Sequence, residues 1–401
     1  MKILLLVDDF DGPGINYDVK ISRELLVKNN IKVIIFHFGK LNDPENEIYS
    51  FKNYNLIKLL KEFKNLYRLK KINITHIRGL MSKNHFLWTL CLFFTKASYV
   101  ITGYSQLVSY NLNNKLFYEN PDFKNINTSN KIRQKKFQNQ LNNILKFLIP
   151  YFKKIYLYTV ARILIKKSKG QIFFSKFEKN NSKIFNSNYQ IIFDPILSKK
   201  NNKANLSSKF KYDQNKINIV FWGRLDVRLK GIDRIIFLAN MLKKIDNKNL
   251  IHFHLMGPDY NNSVILINDL IKKNNLKNKI SLYSKEIWSN NLYPFVAADY
   301  SILLGRWDGF PRSLRESISY DVPIIISEET NFKDVIEESN CGFLIDLKNE
   351  AKILLNFKSL LSNKDKILNF HKRNCEKAKL LISEDYHIKN LINFYKKSYG
   401  I

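Results

Sequence analysis

Two acids and two bases are spaced so that they could do chemistry together. Asp308 and Glu316 bracket seven residues, 309–315, that begin Gly309-Phe310-Pro311-Arg312-Ser313-Leu314. Pro311 sits where the first turn of a helix tolerates a missing N–H. The N–H groups and dipole of such a helix start attract an anion. Earlier in the chain, Gly223-Arg224-Leu225-Asp226 leads to Lys230-Gly231. Arginine offers a planar fork and lysine a point charge, so Arg224 and Lys230 could meet one anion. The bland alternative is two ordinary turns carrying solvated acids and bases.

Strands and helices must bring these groups together. The apolar run 300–304 reads as a buried strand, the polar turn 305–309 breaks it, and Leu314 and Ile318 continue as a short helix before a second strand at 323–327. The runs 217–221, 251–256, 280–283 and 342–345 read as further strands, with helical spacing at 232–244, 292–298 and 332–337. In the first half, strands at 2–7, 31–38, 72–77 and 99–102 alternate with helical spacing such as 17–28. Alternating β and α elements imply doubly wound parallel sheets, whose ligands sit outside the carboxyl ends of the strands.

These motifs resemble those of retaining glycosyltransferases of the GT-B fold, most closely family 4. That family commonly reads E-G-F-P/G-x-x-L-x-E-A and then P-V-I-x-S. Here Asp308-Gly309-Phe310-Pro311, Leu314, Glu316-Ser317 and Pro323 to Ser327 occupy those places, with Asp308 for Glu and Asp321 for a frequent Gly. Gly223-Arg224-Leu225 with Lys230-Gly231 resembles the family's G-R-L-x(n)-K-G, and Gly257-Pro258 falls where relatives have H-x-x-G. Gly12-Pro13-Gly14 lies where members carry a Gly-rich loop facing the donor phosphates, although a plain tight turn explains it equally. His76 and Arg78 form a candidate site of the first domain. Relatives often have His-x-His there, so Arg78 replaces the second histidine and Gly103 or Tyr104 replaces another. His76 is equally readable as a packed strand histidine, and His252 and His254, alternating on one strand face, are read as packing.

The resemblance implies two Rossmann-like domains facing across a cleft: an acceptor domain at 1–197, a linker at 198–210, a nucleotide-sugar domain at 211–385, and a terminal helix, 386–401, crossing back to the first. Arg224 and Lys230 would be the catalytic cations that neutralise a leaving diphosphate. Gly12, Gly14, Gly223, Asp308, Gly309, Phe310, Pro311, Arg312, Ser313, Leu314 and Glu316 would bind the donor, with Glu316 taking the ribose hydroxyls and Asp308 the sugar. The implied reaction moves a hexosyl-type group from a UDP- or GDP-sugar to a hydroxyl of a glycan or lipid-linked acceptor, with retention, in bacterial capsule, O-antigen or lipopolysaccharide synthesis. No cofactor and no metal are expected, the bases taking over the cation's role. The rival reading is a degenerate transferase that binds a nucleotide and presents a basic surface to lipid or nucleic acid. An epimerase on the same fold would need an acid–base pair in the first domain, and none stands out.

Composition bounds the rest. A chain of 401 residues is long for one core and suggests two domains. The formal net charge of +31 favours polyanionic partners without choosing among them. The cysteines Cys91, Cys341 and Cys375 lack metal or redox spacing, as in a reducing cytoplasm. The start, MKILLLVDDF, reads as a strand and not as a leader. The longest apolar run, 86–94, is too short to span a bilayer and reads as a buried helix. Between 146 and 169, Phe147, Tyr151, Phe152, Tyr156 and Ile163 interleave with Lys153, Lys154, Lys166 and Lys167. Such a helix suits the anionic inner face of a cell membrane, or equally a core helix with a solvated basic side. No helix-turn-helix, zinc finger or RNP-like motif supports nucleic-acid binding.

Overall fold

The structure, a computed structural model, describes residues 1–8, 10, 15–51, 55–78, 83–102, 162–182, 184–196, 212–284, 294–306 and 308–401. The readings made for Gly12, Gly14, Gly103, Tyr104, the linker at 198–210 and most of the basic helix at 146–169 lie outside these residues. The chain divides into two compact units. Met1–Pro195 with Glu384–Ile401 forms the first, and Ile196–Ser383 forms the second.

The first unit holds β1 (Lys2–Leu6), α1 (Ile15–Lys28), β2 (Lys32–His37), β3 (Ile48–Ser50), α2 (Leu56–Leu69), β4 (Ile74–Arg78), α3 (Lys83–Thr95), β5 (Tyr99–Thr102), β6 (Gly170–Phe173), α4 (Lys176–Asn180) and β7 (Tyr189–Ile191). The seven strands pair in parallel in the order β3-β2-β1-β4-β5-β6-β7. The order turns back on itself between β1 and β4, which is where a doubly wound sheet opens a crevice. Trp88 of α3 anchors the core on one face. It is fully buried against Phe36, Phe38, Phe51 and Phe63, and its indole N–H donates to the Val7 carbonyl at 2.9 Å.

The apolar run at 86–94 is indeed helical, but it is not buried all round. Trp88, Cys91 and Leu92 face the core, while Phe93 and Phe94 are 63% and 59% exposed. A helix packed on one sheet face can bury only one stripe of its surface, so a uniformly apolar run must leave some residues outside. Strands β3, β6 and β7 were not anticipated: β3 and β7 are three-residue strands at the sheet edges, and β6 opens on Gly170-Gln171.

The second unit holds β8 (Ile217–Trp222), α5 (Ile232–Leu242), β9 (Ile251–Met256), α6 (Ser263–Lys273), β10 (Ile280–Tyr283), β11 (Tyr300–Leu303), α7 (Arg312–Ser319), β12 (Ile324–Ser327), α8 (Lys333–Ser339), β13 (Gly342–Ile345), α9 (Glu350–Ser362) and α10 (Lys364–Leu381). Its six parallel strands run β10-β9-β8-β11-β12-β13, with the turn-back between β8 and β11. The central strands are buried on both faces and read as largely apolar runs, which is why the sequence located them closely. The helix expected at 292–298 is a turn over its described part, 294–297.

The final helix, α11 (Glu384–Tyr399), belongs to the first unit. It buries Leu391, Phe394 and Tyr395, and the Tyr399 hydroxyl donates to the carbonyls of Ser98 at 2.9 Å and Thr75 at 3.2 Å.

Candidate functional site

The acids and bases singled out in the sequence of the second unit lie at or just beyond the carboxyl ends of β8 and β11, the two strands that flank its turn-back. After β8 the chain runs through residues 223–231 into α5. After β11 it runs through 304–311 into α7. The two loops are bound to each other along their length. Gly231 has a left-handed backbone, φ 69°, and a Cβ there would lie 1.9 Å from the Leu304 carbonyl oxygen. Only glycine permits that approach. The Arg306 N–H donates to the Leu229 carbonyl at 3.2 Å.

Three side chains pin the second loop further. Arg306 forks onto the Asp233 carboxylate at 2.9 and 2.7 Å and donates to the Arg228 carbonyl at 2.8 Å. Arg234, buried, donates to Glu329 at 3.3 and 3.2 Å and to the Leu304 carbonyl at 3.4 Å. The Ser327 hydroxyl donates to the Gly305 carbonyl at 2.8 Å. Bidentate arginine–carboxylate pairs fix geometry as well as adding energy.

On this platform the Lys230 ammonium meets the Asp308 carboxylate, the side chains joining the two loops directly. Arg224 lies nearby in sequence on the same loop, with Nη2 3.8 Å from Asp226 Oδ2 and its guanidinium carbon 4.1 Å from the centre of the Tyr260 ring. Glu316 accepts a hydrogen bond from Arg312 Nε at 2.7 Å, one helical turn earlier. Each expected acid or base therefore has a partner within the chain.

Pro311 is the N-cap of α7, one position before the helix proper, and no side chain caps that end. The backbone of Arg312, Ser313 and Leu314 forms the first turn. Phe310 and Leu314 serve differently from the polar residues: both side chains are buried, Phe310 packing on Phe332 with ring centres 4.6 Å apart. They place the backbone around Gly309, where a Cβ would meet nothing within 4 Å. Gly223 leads β8 into its loop, its N–H bonded to the Met256 carbonyl at 3.0 Å.

Sequence reasoning missed Arg306, Asp233, Arg234, Glu329 and Tyr260. Asp233 and Arg234 follow Lys230-Gly231 at the start of α5, and an acid and a base buried in a helix's first turn both need partners. That requirement was the available signal, but it does not say which distant residue answers it.

In the first unit, His76 and Arg78 lie in β4 beside the turn-back. His76 is fully buried between the Tyr395 hydroxyl, 2.6 Å from Nδ1, and the Thr102 hydroxyl, 2.5 Å from Nε2. Burial, then the nearby charges of Arg78 and His387, push its pKa well below the ordinary histidine value. It is a neutral packing histidine with both ring nitrogens engaged. Arg78, also buried, donates to Asp194 at 3.1 Å and to the Ser22 hydroxyl at 3.3 Å. Burial works against its charge, yet Asp194 and Asp18 outweigh that cost and hold the guanidinium protonated. His387 joins the cluster, 2.8 Å from the Phe193 carbonyl and 3.4 Å from Ser22 Oγ.

His254 is likewise a packing residue. It lies 4.5 Å from the Tyr212 ring and 3.1 Å from Asn218 Oδ1, with burial the main cause pushing its pKa down to about 3. Among the described residues no three His, Cys, Asp or Glu side chains are grouped to hold a metal ion.

Comparison with known proteins gives one family match and a shared fold. Residues 202–378 match the family described as "Glycosyl transferases group 1". No curated protein sequence matches the chain. Solved structures do. A glycosyltransferase from Rickettsia africae ESF-5 superposes with a TM-score of 0.67 at 15% identity, covering 99% of this chain and 98% of that one. Sucrose-phosphate synthase from Thermosynechococcus elongatus gives 0.65 at 13%, covering 100% and 99%. HepE from Anabaena in complex with UDP gives 0.64 at 12%, covering 98% and 99%. The two parallel-sheet α/β units have the GT-B fold of these neighbours, and within the chain residues 202–378 are similar to the glycosyl transferases group 1 family.

Proposed function

We propose that the protein is a retaining, family 4-like glycosyltransferase that moves a hexosyl group from a UDP- or GDP-sugar to a hydroxyl acceptor, a glycan or lipid-linked saccharide, in bacterial surface-polysaccharide assembly. The observation that carries this reading is the meeting of Lys230 and Asp308 at the turn-back of the second sheet, next to the uncapped start of α7. A nucleoside diphosphate placed there would take over Lys230 from Asp308. Support for the donor class comes from HepE, whose structures are with UDP and with UDP-glucose.

In this reading Lys230, Arg224 and the N–H groups of Arg312, Ser313 and Leu314 face the diphosphate. Negative charge grows on it as it leaves with the electron pair of the glycosidic bond. Donors fixed in advance around a developing charge are usually the largest catalytic contribution. Asp308, released from Lys230, accepts from a sugar hydroxyl. Glu316 exchanges Arg312 for the ribose hydroxyls. No metal or cofactor is assigned a role.

We place the protein on the cytoplasmic face of the cell membrane, held peripherally. Phe93, Phe94 and Ile163 are more than half exposed, and the Lys167 ammonium lies 5.5 Å from the Phe93 ring centre. Exposed aromatics beside lysines suit an anionic lipid surface. Among the described residues no helix is long and apolar enough to cross a membrane.

Thermal-shift screening against UDP, GDP, ADP and their sugars tests the donor. A ligand at a hundred times its Kd adds about 2.7 kcal/mol of stability. Release of nucleoside diphosphate should then continue past one equivalent. Stoichiometric binding without turnover would point to the degenerate binding protein instead.

A further inference from the structure

The loops that leave β8 and β9 are zipped together. The Gly223 N–H donates to the Met256 carbonyl at 3.0 Å and the Leu225 N–H to the Pro258 carbonyl at 2.9 Å, and Leu225 bridges Asp259 in parallel. The approach is so close that a Cβ on Gly257 would lie 1.6 Å from the Gly223 carbonyl oxygen. Asp259 Oδ1 accepts from the Val264 N–H at 3.1 Å, which ties this loop to the first turn of α6. Tyr260 is thereby carried to Arg224, the guanidinium carbon lying 4.1 Å from the ring centre.

Both side chains are partly exposed, Tyr260 at 37% and the Arg224 side chain at 43%. An arginine so exposed would ordinarily sample many rotamers, and a ligand that recruits it must bear the cost of ordering it. An aromatic face attracts a guanidinium and favours a stacked plane, which narrows that freedom beforehand. Asp226, 3.8 Å from Nη2, adds a second restraint from Arg224's own loop.

We propose that Tyr260 is a positioning residue that acts through Arg224, stacking the guanidinium in place before the diphosphate arrives. The inference rests on the reading of Arg224 as a diphosphate ligand. It adds a residue 36 positions away that no motif marks.

A double-mutant cycle on the full chain tests it. Isothermal titration with UDP, GDP and ADP identifies the tightest-binding of the three, which then serves as the probe. Tyr260→Leu, which keeps apolar bulk but removes the π face, should weaken binding about two- to fivefold. Tyr260→Phe, which keeps the face, should bind as the natural chain does. In an Arg224→Ala background Tyr260→Leu should add nothing. Tyr260→Ala is the companion variant, and unchanged thermal melts show that each variant is folded. An equal loss on Tyr260→Leu with and without Arg224 would overturn the inference, since Tyr260 would then act independently of Arg224. So would unaltered binding in Tyr260→Leu. If Arg224→Ala itself leaves binding intact, the assignment of Arg224 fails. If none of the three diphosphates binds, the donor reading falls, and this inference with it.

Discussion

Lys230 and Asp308, 78 residues apart, are joined by a hydrogen-bonded ion pair across the two loops that leave β8 and β11. The pair makes Asp308 a competitor for the base that a diphosphate would use. Asp308→Ala should therefore leave the affinity for free nucleoside diphosphate unchanged or raise it, while slowing use of the nucleotide-sugar. Titration calorimetry beside steady-state kinetics separates the two. Equal loss of both would assign Asp308 to holding the loop.

Removal of Lys230 should act on the chemical step. Loss of one donor aimed at a developing negative charge typically costs about 2.7–4 kcal/mol, a rate loss on the order of 10²–10³. Folded Lys230→Ala with near-natural turnover would place the donor elsewhere.

Glu316→Gln should lower nucleotide affinity more than kcat, because it keeps the shape but weakens the bonds from ribose. Stability should barely move. The Arg312–Glu316 pair is substantially exposed, and such i,i+4 pairs contribute about 0.3–0.5 kcal/mol. A large drop in Tm would show a structural role instead.

Asp233→Ala should destabilise the second unit. Taking one partner from a buried pair typically costs about 3–5 kcal/mol, and the slight exposure of Arg306 and Asp233 favours the low end of that range. Urea unfolding reads the loss directly. Donor use should fall with it, since Arg306 lies two residues before Asp308 on the same loop.

Acid should weaken the fold through a buried histidine. His371, 2.9 Å from the Tyr300 hydroxyl, is pushed down to about 4 by burial. A histidine whose folded pKa is depressed is protonated more readily when unfolded, so the unfolded state binds the extra proton and stability rises with pH. Its share is fully present above the unfolded value of about 6.5 and is lost progressively as pH falls toward 4. The loss is on the order of 3 kcal/mol. Urea midpoints measured from pH 7 to 4.5 should fall, and less steeply in His371→Asn. Parallel slopes would clear His371 of the effect.

What the sequence made legible, it did through local order. The apolar runs of β8 to β13, the turn at Gly305–Gly309 and the loop from Gly223 to Gly231 depend on residues close together in the chain. Asp321 shows the same, adopting a left-handed φ of 60° that aspartate tolerates better than most residues. What escaped is set by adjacency of strands. Arg306 finds Asp233, Tyr260 finds Arg224, and His76 finds Tyr395, each partner brought near by pairing in the sheet or by helix docking, with no spacing to announce it. Phe93 and Phe94 escaped for another reason: hydropathy does not tell which side of a uniformly apolar helix meets the core.

The placement of α11 also orders events in time. Tyr395 closes over His76, and His387 reaches Phe193 and Ser22, so the buried polar cluster of the first unit is completed from the last stretch of chain. On the ribosome, at about 5–20 residues per second, the whole second unit must be made before those partners exist, a delay on the order of ten seconds or more. During that interval His76 lacks its tyrosine, and the surface destined for Leu391 and Phe394 is bare. The first unit is therefore expected to complete its packing only after the second unit has been made. Limited proteolysis of stalled nascent chains, with and without α11 emerged, would show protection of β4 only in the longer chain.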